Sequence, residues 1–397
     1  MNTQILHTEI QDYIFKKSDE NIDLTKLILS GSPFENISAQ DLAQQISGRL
    51  KAKGKLPTWH HTKGVYYPPT LNLEQTSSEA TALYKSKLIS GEILIDITGG
   101  FGIDDYYFSK KMNRVIHCEL NAELSEIASH NFEVLGLNNV EPKLGDGLKI
   151  LKSFNHLDWI YIDPSRRNDS KGKVFFLEDC LPDVPSNINF LFSKSSNILI
   201  KTSPLLDIRS GLKSLQFVKE IHVVAVDNEV KELLWVLEKD FDKDVNVITF
   251  NITKTKNQTF SFHFEEEHMT EAKLSLPKKY LYEPNAAIMK AGGFNCIAKK
   301  YDIIKLHQHS HLYTSDHLIE FPGRSFEIQK MIPYQKHNVK KENIVKANIT
   351  TRNFPETVSE IRKKFKIKDG GEIFLFFTTN CRNEKVVLEC KKIRANI

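Results

Sequence analysis

A glycine-rich turn in the first half of the chain has the composition of a ligand-binding loop. The stretch Asp96-Ile97-Thr98-Gly99-Gly100-Phe101-Gly102-Ile103-Asp104 follows an apolar run and precedes a segment with helical spacing. Glycines at such a turn let the backbone bend tightly and approach a ligand at van der Waals distance. The residues of this stretch that we expect to contact the ligand are Asp96, Thr98, Gly99, Gly100, Phe101, Gly102 and Asp104.

Polar residues follow the next three apolar runs in the same way. Glu119 ends the second run, where a carboxylate can accept hydrogen bonds from the hydroxyls of a ribose. Asp146 and Gly147 follow the third run, and the acidic side chain suits an adenine amino group. The fourth run leads into Asp163-Pro164-Ser165-Arg166-Arg167. Because open α/β sheets bind ligands at the carboxyl ends of their strands, we expect these four loops to form one crevice.

The elements that position these loops alternate between strands and helices. Strands are predicted at 93–97, 114–120, 139–144, 158–163, 197–202, 221–227 and 232–238. Helix-length segments separate most of them, which predicts βαβ units and a mostly parallel sheet. Asp227-Asn228 leaves no room for a crossover helix, so the last two strands form a hairpin and one strand runs antiparallel. The prediction is an α/β, Rossmann-like domain with a seven-stranded sheet, to which 245–252 adds a further strand.

The first loop favours a cationic ligand over a dinucleotide. The third glycine of the pattern G-x-G-x-x-G is missing, and Asp104 lies near that position. A pyrophosphate binds bare N–H groups at a helix N-terminus, whereas acidic residues suit a sulfonium and an amino group. An adenosine that carries a sulfonium therefore fits the four loops better than a nicotinamide cofactor.

The regions on either side of this domain differ from it in composition. Helical spacing dominates the N-terminal residues, and a connector containing Trp59, Tyr66 and Tyr67 needs burial. From Glu283 onward the chain has 21 Lys and Arg against 12 Asp and Glu, a local balance of +9 in a protein of net charge +4. Such a basic segment indicates either a polyanion-binding region or a solvated lysine-rich surface. The basic residues of one predicted helix and its end are Arg362, Lys363, Lys364, Lys366 and Lys368.

The order DxTGGFGxD, CEL, GDG and DPSRR resembles the class I S-adenosylmethionine-dependent methyltransferases that carry a C-terminal THUMP-like domain. Three further stretches are similar to the same family: Tyr66–Gln75, Tyr282–Gly292 and Thr350–Pro355. The resemblance implies S-adenosylmethionine as cofactor, and in related proteins true THUMP domains present RNA to the catalytic domain. The four loops together with the basic C-terminal region predict RNA, a tRNA or rRNA base, as the substrate. It also implies four regions: N-terminal helices and connector over 1–85, the methyltransferase domain over 86–255, a ferredoxin-like segment over 277–318, and a basic α+β THUMP-like region over 319–397.

The fourth loop is the predicted catalytic centre, formed by Asp163, Pro164 and Ser165. A base amine is a weak nucleophile that loses a proton as it attacks, so a carboxylate that accepts its N–H assists. Enzymes that methylate base amines have an aromatic residue after Asp/Asn-Pro-Pro, and Ser165-Arg166-Arg167 lacks it. Three alternatives therefore stay open: an RNA methyltransferase, a methyltransferase for a small molecule or protein, and a non-catalytic RNA-binding protein. Substrate contacts are expected from Arg166, Arg167 and Lys201, since guanidinium groups bind phosphate or stack on a base.

Other features narrow the protein's class. His307, His309 and His311 alternate on a predicted strand face, but no second ligand cluster accompanies them, so no metal is expected. The five cysteines are scattered and odd in number, which predicts reduced thiols. With neither a signal sequence nor a long apolar stretch, we expect a cytoplasmic protein that has no membrane or obligatory protein partner.

Overall fold

The computed structural model describes residues 1–20, 22–166 and 176–393, and it describes Arg166 through its backbone alone. The chain divides into two compact units. The first contains Met1–Lys219 and Leu233–Asp242, and the second contains Glu220–Glu232 and Lys243–Ile397.

The first unit begins with helices, as the sequence predicts. After a 3-10 turn at Thr3–Leu6 come α1 Thr8–Asp19, α2 Leu24–Ser30, α3 Ala39–Lys55, α4 Pro57–His61, α5 Thr70–Gln75 and α6 Glu79–Ser86. Ser38 caps α3 by accepting from the N–H of Asp41 at 3.0 Å. Trp59, Tyr66 and Tyr67 are buried in one apolar cluster with Phe101 and Ile103 of the glycine-rich segment. The N-terminal helices therefore pack directly against the residues that form the predicted ligand loop.

The elements that follow alternate strands and helices, and the last two strands have residues in both units. The elements are β1 Gly91–Asp96, α7 Ile103–Phe108, β2 Met112–Glu119, α8 Ala122–Val134, β3 Val140–Leu144, α9 Gly147–Leu151, β4 Leu157–Ile162, β5 Ser165–Arg166, β6 Cys180–Leu181, α10 Val184–Phe192, β7 Ser195–Thr202, α11 Ile208–Ser214, β8 Val218–Val226 and β9 Glu229–Glu238. Strands of the main sheet follow the order β3-β2-β1-β4-β7-β9. All are parallel except β9, which runs antiparallel to β7.

Strand β9 belongs to both units, with 229–232 in the second and 233–238 in the first. On its far side the order continues β9-β8-β10-β11, with β10 at Asn246–Ile252 and β11 at Gln258–His263. Asp227 and Asn228 have φ of +48° and +66°, the left-handed pair that a tight two-residue hairpin requires. The mostly parallel sheet, the antiparallel β9 and the hairpin are confirmed. Strand β11, which runs antiparallel to β10, is an additional strand that the sequence analysis did not predict.

The remainder of the second unit is built around a separate sheet. Its elements are α12 Phe264–Met269, β12 Tyr280–Pro284, α13 Ala286–Ala291, α14 Phe294–Tyr301, β13 Ile304–Lys305, β14 Tyr313–Ser315, β15 Gly323–Pro333, α15 Lys336–Lys341, β16 Lys346–Arg352, α16 Val358–Phe365, β17 Lys368–Thr379 and β18 Lys385–Lys392. The strand order is β13-β14-β12-β15-β18-β17-β16, and only β16 and β17 are parallel neighbours. Alternate residues of the central strands enter two different apolar clusters, with Phe376 in one and Phe377 in the other.

Candidate functional site

The loop after β1 lies very close to β2 and α8. A Cβ atom on Gly99 would lie 2.2 Å from the ring of His117, and one on Gly102 would lie 2.4 Å from the ring of Phe132. Gly102 also has φ of +80°, which favours glycine. Gly100 differs, because the nearest described atom to its ideal Cβ position is 3.8 Å away. One side of the loop is therefore packed tightly against the domain, whereas a Cβ atom on Gly100 would be at ordinary van der Waals distance from its nearest neighbour.

Asp96 and Thr98 fix the start of this loop. The buried Asp96 Oδ1 accepts hydrogen bonds from the Thr98 N–H at 2.7 Å and from the Thr98 hydroxyl at 3.0 Å. The same hydroxyl accepts from the N–H of Asp163 at 2.7 Å, so Thr98 joins the ends of β1 and β4. Burial, followed by the nearby Asp105, raises the pKa of Asp96 well above its ordinary value. Asp96 is only 2% exposed and bonds to Thr98, so it stabilises the conformation of the loop.

Glu119 joins the first loop to the second and third. Its Oε2 accepts from the N–H of Gly100 at 2.9 Å, and its Oε1 accepts from the N–H of Asn121 at 2.6 Å. Its backbone oxygen accepts from the N–H of Gly145 at 2.9 Å. Asp146 then caps α9, with Oδ1 accepting from the N–H groups of the following turn, while Oδ2 has no partner among the described residues. Each of these carboxylates keeps a free lone pair at the carboxyl edge of the sheet.

The fourth loop contains an ion pair between two predicted site residues. The Nζ of Lys201, at the end of β7, binds Asp163 Oδ2. Lys201 is 13% exposed and Asp163 is 36% exposed, so the lysine is the inner partner. Within the described residues Asp163 Oδ1 has no partner. Pro164 is buried and Ser165 is exposed. Arg167 and the side chain of Arg166 lie outside the described residues.

A buried polar network lies beneath the glycine-rich loop. Asp104, predicted as a cofactor residue, has Oδ2 accepting from the hydroxyls of Ser77 at 2.9 Å and Tyr161 at 2.8 Å. The Nζ of the fully buried Lys85 is 3.2 Å from its Oδ1. Phe101, also predicted to contact the cofactor, packs against Trp59 with ring centroids 6.5 Å apart. Both side chains therefore face the protein interior and support the loop from behind.

Sequence reasoning missed the centre of this network, a histidine-carboxylate pair. His117 Nδ1 and Asp105 Oδ2 are 2.5 Å apart, and both side chains are fully buried. Burial lowers the pKa of His117, whereas burial and the adjacent Asp104 raise the pKa of Asp105 well above its ordinary value. A signal was present, because a histidine in the apolar run Arg114–Leu120 needs a buried partner.

The structure corrects the interpretation of the three histidines. Residues 307–310 form a turn between β13 and β14, rather than a strand, and His311 has φ of +52°. Over residues 1–20, 22–166 and 176–393, His, Cys, Asp and Glu side chains form no cluster suited to a metal ion. None of the helices described is both long and apolar enough to span a membrane.

Comparison with known proteins finds matches for the C-terminal region and for nearly the whole chain. Family models match residues 280–322 as a ferredoxin-like domain and residues 323–392 as a THUMP domain-like region. The crystal structure of a predicted methyltransferase from Porphyromonas gingivalis W83 is 33% identical, with 98% of this chain and 99% of that chain covered at a TM-score of 0.87. No protein of curated function matches this chain.

More distant solved structures match less than half of the chain. An rRNA methylase from Streptococcus thermophilus is 15% identical, with 40% of this chain and 94% of that chain covered at a TM-score of 0.30. A predicted RNA methyltransferase from Pyrococcus horikoshii is 14% identical, with 48% of this chain and 98% of that chain covered at a TM-score of 0.33. At that similarity neither carries an argument about this chain.

Proposed function

Because the chain belongs to the class I methyltransferase family with a ferredoxin-like segment and a C-terminal THUMP-like domain, we propose that it transfers a methyl group from S-adenosylmethionine to an RNA base of tRNA or rRNA. The observation that carries the proposal is the joining of four loops at one sheet edge. Thr98 bonds to the β4 loop, and Gly100 bonds to Glu119 at the end of β2.

The residues at this edge fit S-adenosylmethionine. Glu119 is already fixed by two backbone N–H groups, so its remaining lone pairs can accept from the ribose hydroxyls without reorganising. The unpartnered Oδ2 of Asp146 suits the adenine amino group, and Leu120, 74% exposed beside Glu119, offers an apolar face to the adenine ring. The position beside Gly100 is not blocked by close packing, so S-adenosylmethionine can approach the loop there. When bound, S-adenosylmethionine supplies a methyl group already activated on a sulfonium.

Asp163 is the proposed acceptor of the proton that the attacking amine loses. Lys201 binds one carboxylate oxygen, Oδ2, and Oδ1 is the oxygen that would accept an N–H from the substrate. Pro164, buried, directs the chain so that Ser165 follows at the surface. Positioning of the nucleophile is the main requirement, since the methyl group needs no further activation.

The RNA part of the proposal rests on the THUMP-like match and the basic C-terminal region. One observation favours a different acceptor: Ser165 lies exposed where an amine-methylating nucleic-acid enzyme has an aromatic residue for stacking. A small molecule or a protein side chain is the corresponding second candidate.

Methyl-labelled S-adenosylmethionine tests the proposal directly. The protein is incubated with bulk RNA and with the small-molecule and protein fractions of a strain that lacks the gene. Label in RNA is expected for the wild type and for Glu126→Gln, an exposed control on α8, and is expected to be lost in Asp163→Asn. Label confined to another fraction would support the second candidate. Calorimetry with no S-adenosylmethionine binding would refute the enzyme assignment.

A further inference from the structure

Part of the basic C-terminal surface is engaged within its own domain. Arg362 donates through Nη1 to the Ile367 carbonyl at 3.3 Å and through Nη2 to the Ala347 carbonyl at 3.2 Å, and it pairs with Asp369. Lys364 donates to Glu356 at 2.9 Å and to the Tyr334 hydroxyl at 2.8 Å. Two of the basic residues on and beside α16 are therefore occupied, which directs the search for an anion site elsewhere.

A different pair of cations is held by one buried carboxylate. Glu283 of β12 is 4% exposed, and its Oε2 accepts from Nε of Arg324 at 2.7 Å and also from Nη2. Its Oε1 accepts from Nη2 of Arg352 at 3.0 Å and from Nε at 3.3 Å. Arg324 is 37% exposed and Arg352 is 29% exposed. We call these three residues the arginine clamp.

The geometry of the arginine clamp leaves its cations available. Both guanidinium groups use their Nε and Nη2 side on Glu283, so neither Nη1 has a partner among the described residues. Two positive charges against one negative charge leave a net +1. Because Glu283 fixes both planes in advance, an incoming phosphate orders two donors at little further cost in side-chain entropy.

The surroundings of the arginine clamp are polar and strained. Thr378 pairs in register with Arg352, and its buried hydroxyl has no hydrogen-bond partner among the described residues. The buried Nδ1 of His311 is unpartnered in the same described part, and its ring stacks on Phe294 with centroids 3.6 Å apart. His311 and Asn353 both have positive φ, of +52° and +49°. Strained backbone and unpartnered buried polar groups are features of binding sites.

The local electrostatic potential agrees with an anion site. Burial, and after it the positive charges of Lys305 and Arg352, lower the pKa of His311 to about 4. Lys305 is itself buried and donates to Asn295 at 3.1 Å. Lys305 and Arg352 therefore bring positive charge to this turn, and Glu267 offsets part of it at Lys305.

We propose that the arginine clamp, Glu283 with Arg324 and Arg352, binds a phosphodiester of the RNA backbone. The identity of the polyanion rests on the proposed function. The site gives a role to two sequence motifs that the catalytic edge does not use, because Tyr282–Gly292 supplies Glu283 and Thr350–Pro355 supplies Arg352. Glu283 is a positioning residue, and the Nη1 groups of the two arginines make the contact.

Salt-dependent RNA binding tests the arginine clamp. Fluorescence anisotropy with bulk tRNA is measured over a range of KCl concentrations for the wild type, Arg352→Gln and Arg352→Lys. Loss of one phosphate contact makes the slope of log K against log [KCl] shallower by about 1, and we expect this in Arg352→Gln together with roughly tenfold weaker binding. Arg352→Lys keeps the charge and the pair with Glu283, so we expect the wild-type slope with weaker affinity.

A matched arginine controls for loss of charge alone. Arg362→Gln removes an arginine of the same domain whose N–H groups are already used, and we expect the wild-type slope from it. Equal slopes in Arg352→Gln and the wild type, with RNA methylation intact, would overturn the arginine clamp and leave the proposed function standing. Binding of inorganic phosphate that requires Arg352, without binding of RNA, would also overturn it. An arginine-dependent slope with label found only in a non-RNA fraction would support the clamp and count against the proposed substrate.

Discussion

The ion pair of the proposed catalytic edge, Asp163 with Lys201, lies in the first unit, and the arginine clamp lies in the second. The two sites bury opposite partners of their ion pairs. At the catalytic edge the inner partner is the cation, since Lys201 is 13% exposed and Asp163 is 36% exposed. In the arginine clamp the inner partner is the anion, since Glu283 is 4% exposed while Arg324 and Arg352 are 37% and 29% exposed. In each unit the buried group fixes the exposed group and leaves part of it without a partner among the described residues.

The difference shows how burial assigns roles within an ion pair. Exposed ion pairs contribute little to stability, because water and salt screen them. A buried partner has a different effect. Because a buried charge without an opposite charge is unfavourable, it holds the outer side chain in one geometry. The outer group then selects the ligand: a carboxylate accepts from an N–H or O–H group, and a guanidinium group binds an anion.

The largest expected effect is on stability, at the buried partner of the arginine clamp. Glu283→Gln removes the charge that holds two arginines, so we expect the free energy of unfolding to fall by about 3 kcal/mol, as when a buried ion pair is broken. Urea unfolding measures this. Glu320→Gln is the control, because Glu320 and its partner Lys256 are 81% and 75% exposed, so losing this pair should cost less than about 1 kcal/mol. Equal losses in the two variants would remove the distinction between inner and outer partners.

The next effect is on turnover, at the outer partner of the catalytic edge. Asp163→Asn keeps the shape of the side chain but removes the proton acceptor, so we expect kcat to fall about 100-fold, the usual range for general base catalysis. Affinity for S-adenosylmethionine should change less than about twofold, because Asp163 contacts the cofactor loop only through its backbone N–H. A change confined to cofactor affinity would instead assign Asp163 to binding.

Periodicity and loop composition were sufficient to predict the sheet. The parallel strands, the antiparallel β9 and the hairpin at Asp227-Asn228 all follow from local patterns, since strand length, helix length and turn residues are properties of neighbours in sequence. The same patterns did not predict β11, whose pairing with β10 is a contact between segments that no motif marks.

Side-chain direction could not be predicted in the same way. Asp96, Asp104 and Glu119 are all acidic residues that the sequence predicts to contact the cofactor, yet Asp104 faces Ser77, Tyr161 and Lys85 inside the protein. Glu119 faces the edge because two backbone N–H groups hold it there. The arginine clamp was missed for a related reason: Glu283, Arg324 and Arg352 lie on three separate strands, and only folding brings them together.

A smaller effect is expected at Glu119. This residue differs from Asp163 and from the two arginines of the clamp, because backbone N–H groups hold its side chain in place of a buried charge. Glu119→Gln loses one charged acceptor, so we expect affinity for S-adenosylmethionine to fall about tenfold, which corresponds to about 1.4 kcal/mol. Calorimetry measures it, and Glu126→Gln, an exposed glutamate of α8, should bind normally. Unchanged affinity in Glu119→Gln would remove the ribose contact from the proposal.

The smallest effect separates the two units by pH. Burial lowers the pKa of His311 to about 4, whereas an unfolded histidine has a pKa of about 6.5. As pH falls below 6.5 the unfolded chain gains a proton that the folded chain does not, so this group lowers stability between pH 6.5 and 4. Asp96 and Asp105 act with the opposite sign, because burial raises their pKa values and their contribution to stability is lost as pH rises.

Urea unfolding of the wild type and His311→Asn at pH 7 and pH 5.5 isolates the histidine contribution. Asparagine tolerates the left-handed backbone of His311 but does not titrate. We expect the wild type to lose about 1 kcal/mol more than the variant on acidification, since at pH 5.5 about nine-tenths of the unfolded histidine is protonated and the folded histidine is mostly neutral. Parallel pH profiles would show that His311 titrates in the folded chain as it does in the unfolded chain, and the support that its lowered pKa gives to an anion site would be withdrawn.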